Sequence, residues 1–129
     1  MALKDKLKIM IVDDMTTSRG LVFNCLDTIG VKNVCYAKTG VEALSMLKTS
    51  PVHLIISDYN MPEMDGLGLL KSLRANPATK KIGFILLTGS KDASLVEKGR
   101  SLGMNNFLAK PFTPKDLETC ISAVVGSLH

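Results

Sequence analysis

Five positions carry groups that could do chemistry together: the adjacent pair Asp13-Asp14, then Asp58, Thr88 and Lys110. Each follows a short apolar run, which places it just beyond the end of a predicted strand. Singly, each has an ordinary explanation. Asp13 and Asp14 suit the cap of a following helix, Asp58 a turn, Thr88 a strand end and Lys110 a solvated surface. Jointly they need another. Three carboxylates converging on one sheet edge repel, and at ~4 Å with an effective dielectric of ~20 each pair costs roughly 4 kcal/mol before screening. Lys110 offsets one charge and a hard divalent cation two more. Oxygen donors with room for water suit Mg²⁺, which keeps part of its hydration shell and bridges carboxylate to phosphate. No Cys or His joins the set, which excludes soft-metal chemistry.

The elements that must position these groups alternate in two kinds. Apolar runs at 7–12, 34–37, 52–56, 82–87 and 106–109 are rich in Ile, Val, Leu or Phe and suit strands buried on both faces. Between them lie helical stripes: Leu21, Val22, Cys25, Leu26 and Ile29; Val41, Leu44 and Leu47; Leu69, Leu70 and Leu73; Leu95, Val96, Gly99 and Leu102; Leu117, Ile121, Val124, Val125 and Leu128. Thr39 and Glu42 have capping-box spacing. Thr113 before Pro114 reads as an N-cap with proline at the first helical position. Gly30 and Gly103 fall where left-handed caps are expected. The pattern is (βα)₅, an α/β fold with a parallel sheet covered on both faces as a three-layer sandwich. The flavodoxin-like order 2-1-3-4-5 fits it best. In that order strands 1, 3, 4 and 5 are neighbours, and all of them deliver a polar residue to the same edge.

A chain of 129 residues fits one compact domain, 1–129, and leaves no room for a second. The net charge of +4 is spread from Lys4 to Lys115 with no basic run, so nucleic-acid binding is not expected. Cys25, Cys35 and Cys120 lack metal-ligand spacing and read as small buried groups in a reducing compartment. With no secretory leader and no apolar run near the ~20 residues that span a bilayer, a cytoplasmic monomer without membrane contact is expected.

The pair Asp13-Asp14, the segment Asp58-Tyr59-Asn60-Met61-Pro62-Glu63-Met64-Asp65-Gly66, the step Leu86-Leu87-Thr88-Gly89 (followed by Ser90) and the run Lys110-Pro111-Phe112 together resemble the motif set of bacterial response-regulator receiver domains. They do so in order and spacing across nearly the whole chain. With no output domain expected after the last helix, the likeness is to the stand-alone, CheY-like chemotaxis receivers. The resemblance implies that Asp58 accepts a phosphoryl group from the phosphohistidine of a sensor kinase (CheA-like). It implies that Asp14, Asp58 and the backbone carbonyl of Asn60 bind Mg²⁺ directly, and that Asp13 holds the ion mainly through water. Lys110 and Thr88 would each take a phosphoryl oxygen, and Thr88 with Phe107 would form the switch. Phe107 stands where many of these proteins carry Tyr, so its ring has no hydroxyl to hold it outward. A cis Lys110–Pro111 bond is implied as well. Downstream, a flagellar motor switch protein, a phosphatase or no partner at all (a phosphate sink) is compatible with the residues, and no separate turnover substrate is expected.

Other classes fit less well. An Asp-nucleophile phosphatase of the haloacid-dehalogenase type needs a second Asp two residues after its nucleophile, where this chain has Asn60. A pseudo-receiver that only binds would lack one of Asp13, Asp14, Asp58 or Lys110. In a flavodoxin, Asp13-Asp14 would repel the flavin phosphate.

Overall fold

The computed structural model describes residues 2–89 and 93–129; Ser90 lies outside the described residues. Five strands, β1 (Lys8–Val12), β2 (Asn33–Ala37), β3 (Leu54–Asp58), β4 (Gly83–Thr88) and β5 (Asn106–Ala109), form one parallel sheet in the order β2-β1-β3-β4-β5. The helices are α1 (Leu3–Lys6), α2 (Thr16–Ile29), α3 (Gly40–Leu47), α4 (Gly66–Ala75), α5 (Ala93–Ser101) and α6 (Pro114–Val125). The strand order is the expected one. The four-residue α1 was not expected, because so short a segment shows no 3.6-residue period.

Strand alternation divides the core in two. Met10, Val12, Ile55, Phe84 and Leu86 face one side with Ala43, Leu69, Leu70 and Leu73 of α3 and α4. Ile9, Ile11, Leu54, Ile56, Ile85 and Leu87 face the other with Val22 and Leu26 of α2 and Leu117 and Ile121 of α6. Both faces of the central strands are dry, which explains their near-continuous apolar sequences. Two residues of the expected stripes do not join the core. Leu21 is 61% exposed and Val41 55% exposed, each sitting at the solvent margin of its helix. Cys120 is buried, but Cys25 and Cys35 are only half-buried, against the expectation for all three.

The expected caps are present. Thr39 accepts from the Glu42 amide, Thr113 and Asp116 cap each other reciprocally, and Gly30 and Gly103 have φ of 102° and 98°. The Lys110–Pro111 bond is cis, as expected. One structural residue gave no sequence signal. Arg74 of α4 donates to the carbonyls of Gly103, Lys80 and Ile82 and to Asn105 Oδ1, tying two loops to one guanidinium.

Candidate functional site

Register decides what meets at the carboxyl edge. Val12 pairs with Ser57 and Asp58 with Leu87, so Asp13 stands level with Asp58. Thr88 pairs with Ala109, one step further out, and Lys110 follows it. Two backbone bonds fasten this rim: the Lys110 amide donates to Thr88 O at 2.9 Å, and the Tyr59 amide to Leu87 O at 2.9 Å.

The expected carboxylates do converge. Asp13, Asp14 and Asp58 each bring an oxygen to a group whose members lie within 4.8 Å of one another. Asp13 is 1% exposed and Asp58 8%, while Asp14 is exposed. Lys110 Nζ donates to Asp58 Oδ1 at 2.6 Å. Burial raises the Asp58 carboxyl above its ordinary value; Lys110 acts against this, and the Asp13 charge adds to it. One ammonium therefore does not neutralise the cluster.

The Asp13 carboxylate is not the side-chain cap it could have been. The N-cap of α2 is Met15, whose side chain makes no capping bond. Met15 N–H instead donates to Asp13 Oδ1 at 3.0 Å, closing a local turn. Asp13 Oδ2 is buried and accepts no hydrogen bond from the described residues. A buried carboxylate oxygen without a donor is costly, and a cation held by oxygen ligands relieves that cost. The donor set consists of carboxylates, so the residues present fit Mg²⁺.

Asn60 lies in the exposed loop after β3. Thr88 is buried at 2% exposure. It lies on the same sheet face as Leu86, which is paired with Phe107 on β5, so Thr88 and Phe107 are diagonal neighbours on one face. Phe107 is half-buried and borders a surface pocket of about 670 Å³ with Val96, Glu97 and Arg100 of α5. Gly66 opens α4. Its φ lies outside the left-handed region, and its value is close approach: a Cβ there would lie 2.7 Å from Asp58 O and 2.7 Å from Leu86 Cδ1.

Two residues near the site went unnoticed in the sequence. Ser18 Oγ lies 3.5 Å from Lys110 Nζ. Arg19 Nη1 donates to Asp13 O at 2.9 Å. Both stand on the first turns of α2, and the only sequence signal is their place just after the acidic pair.

The same rim holds a strained residue. Glu63, in the loop between β3 and α4, has φ of 68°, a left-handed conformation that asparagine adopts more readily. Glu63→Asn is expected to raise stability by roughly 0.5–1 kcal/mol, read as a higher urea midpoint at unchanged slope. A lower midpoint would show that the Glu63 side chain supplies more than the backbone costs.

Comparison with known proteins gives a consistent result. The response regulator receiver domain family matches residues 9–122. A probable chemotaxis protein CheY of Rhizobium etli is 45% identical over 128 residues, covering 99% of each chain. Chemotaxis protein CheY1 of Helicobacter pylori is 37% identical over 94% of this chain and 98% of its own. Among solved structures, Vibrio cholerae chemotaxis protein CheY4 superposes with a TM-score of 0.85 at 31% identity, covering 92% of this chain and 98% of that one. The receiver domain of a Pseudomonas aeruginosa sensor histidine kinase, with a magnesium ion coordinated in its active site cleft, superposes with a TM-score of 0.83 at 25% identity, covering 94% of this chain and 98% of that one.

Proposed function

Because the chain belongs to the response regulator receiver family and is CheY-like, we propose that it takes a phosphoryl group onto Asp58 from a sensor histidine kinase and uses the new charge to change partner. The observation that carries this reading is the buried, unpartnered Oδ2 of Asp13, in a carboxylate group that also contains Asp58, itself paired to Lys110.

Each residue has a task. Asp58 Oδ attacks phosphorus and the bond from phosphorus to the donor nitrogen breaks, leaving an acyl phosphate on Asp58 and the donor imidazole free. Burial keeps the carboxylate poorly hydrated and therefore available for attack. Lys110, already 2.6 Å from the acceptor, would take a phosphoryl oxygen. Thr88 would donate its hydroxyl to another. Asp14, Asp58 and the Asn60 carbonyl would hold Mg²⁺, with Asp13 mainly through water. The ion, when bound, supplies charge neutralisation for the phosphoryl oxygens. Gly89 is exposed, with no atom of the described residues within 4 Å of a notional Cβ, and would leave the approach open.

The switch in this proposal runs through Thr88 and Phe107. Drawing the Thr88 hydroxyl toward the phosphoryl group vacates space on the face it shares with Phe107. The half-buried ring then moves inward, gaining part of the ~1.5–3 kcal/mol that full burial of such a side chain gives. Partners upstream would be a CheA-like kinase, and downstream a motor switch protein or phosphatase of the kind that reads chemotaxis receivers. Among the described residues no helix is long and apolar enough to cross a membrane.

The test uses acetyl phosphate and Mg²⁺. Intact mass should show one added phosphoryl group, lost in excess EDTA. Beryllofluoride should shift the Phe107 ring resonances, and Thr88→Ala should weaken that shift while phosphorylation continues more slowly. Full phosphorylation in EDTA would overturn the metal assignment, and an unmoved Phe107 would overturn the switch.

A further inference from the structure

We propose that Arg19, stacked on Tyr36, is a positioning residue that fixes the Asp13 carboxylate for the divalent cation. The inference rests on the reading of Asp13 as part of the metal site. Asp13 is held at three of its polar atoms. Its amide donates to Ala37 O at 3.1 Å. Its carbonyl accepts from Arg19 Nη1 at 2.9 Å. Its Oδ1 accepts from the Met15 amide at 3.0 Å. Among the described residues only Oδ2 is left without a partner, buried and in the carboxylate cluster. The first bond comes from β2 and the third from the turn itself. The second comes from a side chain, and it fixes the plane of the peptide that begins this turn.

The guanidinium is in turn held from two more directions. Arg19 Nη2 lies 3.4 Å from Thr16 Oγ1. Its Cζ sits 4.8 Å from the centroid of the Tyr36 ring, on the edge strand β2. Tyr36 is 51% exposed, so the ring gains little from burial where it stands. Stacking under Arg19 gives its position a purpose. The partners of Arg19 among the described residues are a carbonyl, a hydroxyl and a ring. None is a carboxylate, so among the described residues the side chain forms no ion pair with the acidic cluster. A planar fork can bond two oxygens while lying flat on a ring, which an ammonium cannot do.

Charge and geometry predict opposite signs, and this makes the proposal testable. A cation beside an acidic cluster opposes Mg²⁺, so by Coulomb's law alone its removal tightens binding. Residues that orient a metal-holding group from behind act the other way, and their loss typically weakens affinity 10–100-fold. The experiment is calorimetric titration of Mg²⁺ into the full chain and its Arg19→Lys, Arg19→Ala and Tyr36→Leu variants, each well below its melting temperature. Arg19→Lys and Arg19→Ala should bind Mg²⁺ about tenfold more weakly, and Tyr36→Leu should lose less. The Met15 amide resonance should move in the metal-free Arg19 variants, reporting a disturbed bond to Asp13 Oδ1. If Arg19→Ala does not fold, Arg19→Lys and Tyr36→Leu carry the test. Equal or tighter Mg²⁺ binding in the folded Arg19 variants overturns the proposal, even if they melt earlier. If the unaltered chain takes up no Mg²⁺, the metal reading itself falls and this inference with it.

Discussion

Asp58→Asn is expected to accept no phosphoryl group from acetyl phosphate and Mg²⁺, and in metal-free buffer at neutral pH to melt at a higher temperature than the unaltered chain. The first result follows from chemistry, since an amide oxygen is a poor nucleophile toward phosphorus and its acyl phosphate cannot form. The second follows from electrostatics. Burial, chiefly, and the nearby Asp13 charge raise the folded-state value of Asp58 above its ordinary one, although Lys110 pulls it down. A carboxyl raised on folding holds its proton more tightly in the native state than in the unfolded chain. Its stabilising contribution is complete below the ordinary value of about 4 and is lost as pH rises through the higher folded value. At neutral pH the charged Asp58 therefore penalises the fold, and asparagine removes the penalty. Lys110 loses a partner, but its side chain is 31% exposed and can be rehydrated. Each kcal/mol relieved raises the melting temperature by about 4 °C in a domain of this size. The gap should narrow as pH approaches about 4. It should narrow again in saturating Mg²⁺, which stabilises only the form that binds it. Undiminished phosphorylation of the variant would remove Asp58 from its role. A lower melting temperature would show that the Lys110 pair outweighs the cost of burying the charge.

The sheet and most of the site were legible because parallel strands are dry on both faces and write themselves as apolar runs. The limit of that signal shows at β3. Its apolar run stops at Ile56, yet the strand continues through Ser57 and Asp58, both buried. Asp58, like Thr88 at the end of β4, sits inside the ladder, whereas Asp13 and Lys110 come just after their strands. The helical stripes were legible in direction but not in width: Val22 and Leu26 reach the core while Leu21 beside them does not. Local spacing cannot tell which edge of a stripe the neighbouring helix will cover. Arginines were the least legible. Arg74 bonds Gly103 and Asn105 across the fold, and Arg19 reaches a ring on the neighbouring edge strand. Their partners are chosen by tertiary approach, of which a single sequence carries no local trace.

Glycines show the same division, and one pair of them gives the second large effect. Gly66→Ala should destabilise the chain and slow phosphorylation, whereas the same change at Gly20 should stabilise it. Both residues are helical, Gly66 opening α4 and Gly20 lying inside α2. Neither has a left-handed φ, so propensity alone favours alanine at each by roughly 1 kcal/mol. Space separates them. At Gly20 no atom of the described residues lies within 4 Å of an added Cβ. At Gly66 the added Cβ meets Asp58 O at 2.7 Å, Leu86 Cδ1 at 2.7 Å and Tyr59 Cα at 3.1 Å. Leu86 can turn, but two of the three neighbours are backbone. They are also tied down, since the Gly66 amide donates to Tyr59 O at 2.9 Å and Ser57 Oγ to Asp58 O at 3.0 Å. The strain must move either α4 or the peptide that carries Asp58, the proposed acceptor. Overpacking of this kind costs about 1–3 kcal/mol net, and a displacement of the acceptor should slow phosphoryl transfer roughly tenfold or more. Gly20→Ala should gain about 0.5–1 kcal/mol. Urea midpoints at matched slopes measure the first pair of effects, and the initial rate of mass gain with acetyl phosphate measures the third. If Gly66→Ala is as stable as the unaltered chain and phosphorylates at the same rate, the close approach of α4 to the Asp58 peptide does not position the acceptor.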